Sequence, residues 1–221
     1  MQIEKKIISL EAKDVPSILL RNYQSVMSSF YEMQSGFFRS HYKIHKSLES
    51  ACIILSFNRE VHLQILRQRE KNLDHNVSLN NFWVNLSSIT NPGLKIISIV
   101  KATNIPKETS RRKIKKLIEN GYLYNAKNRE YFLNLKDKTK ENVVKLMNED
   151  VSRIARFVGV ISKSLDLKLD NKKIENEIKS QFSFYWFHFL TCQLSWFKLW
   201  QSKLNDIDLI FIAIQALIPS L

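Results

Sequence analysis

The chain has 221 residues, of which 44% are hydrophobic and 11% aromatic, and a formal net charge of +13. That apolar content is enough for a buried core and excludes general disorder. Two cysteines without partner spacing, Cys52 and Cys192, indicate neither a disulfide framework nor a zinc site and agree with a reducing cytoplasm.

Four glycines and four prolines leave long stretches of three-to-four periodicity, so the chain reads as mainly α-helical. Asp14-Val15-Pro16 starts a helix running past Tyr31, with Gly36 a point of interruption or bending before Phe38, Tyr42 and His45. The next is expected from Ser47 to Leu73, and a short one, capped by Ser78, from Leu79 to Ile89. Asn91-Pro92-Gly93 ends the short helix, which supplies Phe82 and Trp83 to a core.

Thr103-Asn104-Ile105-Pro106 breaks the following helical pattern, and Pro106 suits the first position of a new helix. That helix runs from Lys107 to Asn120 and stops at Gly121, which fits a left-handed cap. Ser110, Ile114, Leu117 and Ile118 share one face, while Glu108, Arg111, Arg112 and Lys115 fall opposite. Tyr122-Leu123-Tyr124 and Arg129 to Leu133, around a polar turn, read as a β-hairpin with Lys127 and Arg129 near its tip. A charged connector, 136–140, precedes helical patterns from Glu141 to Leu165, from Asp170 to about Lys203, and from Asn205 to Leu217.

The fold class expected is therefore mainly α: a central winged helix-turn-helix with a small β-hairpin wing, flanked by N- and C-terminal helices. The divisions fall at 1–77, 78–140 and 141–221, the last supplying dimerisation or core-completing helices. Between Leu94 and Lys140 stand thirteen Lys/Arg and four acids, so +9 of the total +13 lies in about a fifth of the chain. Charge focused in this way suits a polyanion-binding footprint.

From Ile99 to Leu123 the order of small helix, turn, Arg-rich helix, Glu119-Asn120-Gly121-Tyr122-Leu123 and wing resembles the bacterial winged-helix regulators of the MarR and cAMP-receptor-protein types. Lys107-Glu108-Thr109 followed by Arg112 is similar to the Arg-Glu-Thr…Arg cluster of the latter family. The resemblance implies base or phosphate contacts from Lys107, Glu108 and Arg112. Ser110 stands where those families carry an apolar residue, and Asn104 where they usually have Gly. The chemistry agrees independently. Arg can bond bidentately to guanine, and a carboxylate can accept from cytosine. Lys107, Thr109, Lys113, Lys115 and Lys116 suit phosphate oxygens, and Lys127 and Arg129 suit the minor groove or its flanks. The candidate DNA-binding residues are Lys107, Glu108, Thr109, Arg111, Arg112, Lys115, Lys116, Lys127 and Arg129.

Thirteen of the nineteen residues from Phe182 to Trp200 are apolar or aromatic. His188, Gln193 and Lys198 within that run favour a buried intramolecular or dimer-interface helix over a membrane span, with a pocket for a small apolar effector as a further use. A homodimer would match two half-sites. His41 and His45 share a helix face at metal-ligand spacing without a convincing third ligand, Glu49 reading as a solvated charge, so no metal is expected. His62, His75 and His188 are singletons, and Cys52 and Cys192 read as packing residues. No phosphate-cradling loop or nucleophile elbow is present, so neither enzyme activity nor a cofactor is expected. The alternatives are a protein-interaction winged helix, or RNA or single-strand binding through Tyr122, Tyr124 and Tyr131.

Overall fold

A computed structural model describes residues 11, 13–71, 78–84, 90–126, 129–134, 137–167 and 169–218. The chain is mainly helical, with a small antiparallel sheet. Its helices are α1 (Val15–Arg21), α2 (Tyr23–His45), α3 (Leu48–Lys71), α4 (Leu79–Val84), α5 (Ile96–Thr103), α6 (Lys107–Glu119), α7 (Asp137–Ser164), α8 (Asn171–Ser180), α9 (Phe182–Leu204) and α10 (Ile207–Leu217). Strands β1 (Leu123–Asn125) and β2 (Tyr131–Leu133) lie between α6 and α7.

α3 is the centre of the molecule. Every residue from Ala51 to Asn58 is buried, the pattern of a helix enclosed on all sides. It packs along α9 and also meets α2, α5, α6, α10 and β2. α9 buries Phe182, Trp186, Leu190, Leu194 and Phe197, so one face of its aromatic run belongs to the intramolecular core, while Phe184 and Tyr185 are exposed. Among the described residues, no helix is long and apolar enough to cross a membrane. α2 packs against α7 and α10, so helices from the N- and C-terminal parts of the chain pack directly on one another.

The boundaries differ from the sequence expectations at specific points. The first helix is two: Asn22 (φ −115°, ψ 24°) leaves helical geometry between α1 and α2. Gly36 lies inside an unbroken α2, and its missing Cβ makes room for the Arg153 side chain, whose Nε would stand 2.7 Å from that atom. α7 begins at Asp137, so most of the expected charged connector is helix. The pattern from Asp170 to Lys203 divides at Gln181 (φ −107°, ψ 36°), because α8 packs against α7 while α9 turns to follow α3. The helix ends expected at Leu73 and Ile89 lie outside the described residues, as does His75. Ser78 does cap α4, accepting from the Asn81 N–H at 3.2 Å, and Phe82 is fully buried. Cys52 is buried as expected, whereas Cys192 is exposed on the outer side of α9.

Candidate nucleic-acid interface

Two short helices and the turn between them form the base of the site. α5 ends at Thr103, whose hydroxyl donates to the Ile99 carbonyl at 2.9 Å and accepts from the Ile105 N–H at 3.3 Å. Asn104 is left-handed (φ 58°), a conformation asparagine adopts more readily than most residues. Ile105 is fully buried and anchors the turn. Pro106 is the N-cap of α6 rather than its first helical residue. Its ψ of 144° is extended, and its carbonyl accepts the first helical bond, from Ser110 N–H at 2.8 Å.

α6 buries Ser110, Ile114 and Leu117. The buried Ser110 hydroxyl donates to the Ile105 carbonyl at 3.2 Å, so a polar residue at this inward position ties the helix to the turn before it. Lys107, Glu108, Arg111, Arg112, Lys115 and Lys116 are exposed, and Thr109 is half-buried. Glu108 pairs with Arg111 at 2.6 Å, and Lys115 approaches Glu119 at 4.0 Å. Exposed pairs of this kind are worth about 0.2–1 kcal/mol, so they leave the cations available to a stronger anion. Lys107, Arg112 and Lys116 have no ion pair among the described residues.

Lys113 departs from the phosphate-facing role its type suggests. It stands beside Ile114 on the flank of the buried stripe, and its Nζ donates to Ser47 Oγ at 2.7 Å and to Glu49 at 3.1 Å. Glu49 is correspondingly not a solvated charge. Burial pushes its carboxyl up, but hydrogen bonds from Ser47 and Lys113 outweigh that and hold it below the usual range. This anchor joins the α6 flank to the first turn of α3, and nothing in the local sequence signals it.

α6 ends in a Schellman motif. Gly121 is left-handed (φ 77°), its N–H donates to Ile118 O at 2.9 Å, and Tyr122 N–H donates to Leu117 O at 2.8 Å. β1 then pairs with β2 in the register Leu123–Leu133, Tyr124–Phe132 and Asn125–Tyr131, and Leu94 adds an isolated bridge to Tyr131. Asn134 Nδ2 donates to the Gly121 carbonyl at 2.8 Å, tying the hairpin to the helix cap. The strands are shorter than the aromatic runs suggest. Arg129 and Glu130 belong to the loop, and Arg129 is exposed and left-handed (φ 58°). Lys127 lies outside the described residues. Exposed Lys95 and Lys101, visible in the sequence only as part of the charge count, extend the positive surface onto α5.

A second polar cluster lies between α2, α7 and the base of the hairpin. His41 Nε2 is 3.1 Å from Asp150 Oδ2, and both residues are buried. Arg153 donates to Asp150 at 2.6 Å and to Ser40 at 2.9 Å. His45 stacks on His41 and meets the edge of Tyr122 at 4.9 Å between ring centroids. Burial, then the neighbouring His41, lowers the His45 pKa to about 3, and burial alone does the same for His62. No group of three or more potential metal ligands occurs among the described residues.

No family model, curated protein or solved structure matches this chain.

Proposed function

We propose that the chain is a sequence-specific transcriptional regulator that binds double-stranded DNA through a winged helix, with α6 as the helix entering the major groove. The observation that carries this reading is the division of α6: Ser110, Ile114 and Leu117 face the core while Lys107, Arg111, Arg112, Lys115 and Lys116 face solvent. An α-helix with its side chains is about 10–12 Å across and the major groove about 12 Å wide, so a helix cationic along its outer side fits there. Phosphate contacts from Lys107, Lys115 and Lys116 set register by releasing counterions, Arg112 and Glu108 read base edges, and Arg129 braces a flanking phosphate or the minor groove.

A homodimer belongs to the same reading. The exposed Leu199, Leu204, Leu209, Ile212 and Leu217 on α9 and α10 offer apolar surface for self-association. Single-strand binding through a tyrosine row has less support, because Tyr122 and Tyr131 are half-buried and only Tyr124, stacked on Phe132 at 5.2 Å, is exposed. The test is recovery of duplexes from a random pool by the full chain. Enrichment of one motif, bound more weakly as salt rises, supports the proposal. Recovery without enrichment, or no binding that salt weakens, refutes it.

A further inference from the structure

A concave apolar pocket of about 490 Å³ opens between α7, α8 and α9, outside the helices that carry the candidate nucleic-acid interface. Its walls are Ile154 and Val158 of α7, Ile174 and Ile178 of α8, and Trp186 and Phe189 of α9. α8 is firmly seated over it. The Asp170 side chain caps its N-terminus by accepting from Lys172 N–H at 2.8 Å and Lys173 N–H at 3.1 Å. The Asn171 side chain rests where a Cβ at Gly159 would collide with it.

The mouth has the opposite character, lined by Lys173, Glu177 and Tyr185. Tyr185 donates its hydroxyl to Glu177 Oε1 at 3.3 Å, which orients that carboxylate without cancelling its charge, and the exposed Lys173 has no ion pair among the described residues. An apolar recess of this size with a few polar groups at its opening is the usual form of a small-molecule site. The charged rim is poorly matched to a flat apolar protein face, and the unpaired ammonium favours a negative group.

We propose that this pocket binds an amphipathic organic anion, with an aromatic or acyl body against Val158, Ile178 and Phe189 and a carboxylate or similar head at Lys173. The site is independent of nucleic-acid binding and is tested without DNA. Dodecanoate and dodecanol are titrated calorimetrically into the full-length chain, and 1-anilinonaphthalene-8-sulfonate is followed by fluorescence. The expected result is saturable one-to-one binding of the fluorescent anion, displaced by dodecanoate. Val158→Trp, which fills the recess, is expected to weaken both by more than about tenfold. Lys173→Gln, at an exposed position, is expected to weaken dodecanoate about three- to fivefold and leave dodecanol unchanged. Should Val158→Trp fail to fold by circular dichroism, the acid-against-alcohol comparison in Lys173→Gln decides alone. Equal effects of Lys173→Gln on acid and alcohol would overturn the proposal. So would loss of binding on Ile212→Ser, a change confined to the exposed side of α10, which would place the probe on general apolar surface.

Discussion

Lys113 and Glu49 form a half-buried ion pair, 3.1 Å from Nζ to Oε2, that fastens the flank of α6 to the first turn of α3. The cation would be disfavoured at a helix N-terminus without that carboxylate. The pair gives Lys113 a different task from its neighbours on the same helix. Lys113→Met should therefore cost about 1–2 kcal/mol in urea unfolding, between the values of an exposed pair and a fully buried one. It should leave the salt dependence of DNA binding nearly unchanged, because no phosphate contact is lost. A slope as reduced as that of Lys115→Gln would show that Lys113 faces the duplex.

The backbone at the end of α6 makes a separate demand. Gly121 has φ 77° and open space around the position of a Cβ, so a side chain there meets conformational strain and no collision. Gly121→Ala is expected to destabilise the chain by about 1–2 kcal/mol, while Asn104→Gly, at the other left-handed position flanking α6, should change stability by less than about 1 kcal/mol. Thermal unfolding of the two variants measures both.

How far the sequence reveals the site depends on how local each cause is. The two faces of α6, the left-handed Asn104, the Gly121 cap and the position of the hairpin all follow from residues within a few positions of one another. Lys113 is not separable from Lys115 and Lys116 on that basis, since its partners Ser47 and Glu49 lie 66 and 64 residues away. The division of α8 from α9 carries no Pro or Gly at Gln181 and arises from packing against different helices. The i, i+4 spacing of His41 and His45 resembles a metal site because the residue that engages His41, Asp150, is 109 positions distant.

Asp150 holds both His41 and Arg153 in the interface between α2 and α7, with Arg153 only 17% exposed. Asp150→Ala leaves that guanidinium without its closest carboxylate in a largely buried setting. A loss of about 2–4 kcal/mol is expected in denaturant unfolding. A loss below about 0.5 kcal/mol would mean that Glu149 and Ser40 suffice for Arg153.

Stability should fall on mild acidification. His45 and His62 are neutral in the folded chain, with pKa values lowered from 6.5 to about 3 by burial, joined at His45 by His41. Below pH 6.5 the unfolded chain takes up protons that the folded chain does not, so stability held above that pH is lost as pH falls toward 3. The loss should approach about 1.4 kcal/mol per pH unit for each histidine between pH 6 and 4. His62→Phe should remove roughly half of this slope, and an unchanged slope would mean that His62 does not stay neutral in the folded chain.

The central claim is that the exposed side of α6 reads a duplex. The decisive measurement is the affinity of wild type, Arg112→Ala and Arg129→Gln for an enriched duplex and a random one, each at two salt concentrations. Arg112→Ala should lose about 1–3 kcal/mol on the enriched duplex and far less on the random one, while Arg129→Gln should weaken both alike and lower the salt slope by about one. Equal losses on both duplexes for Arg112→Ala, or no loss on either, would contradict it.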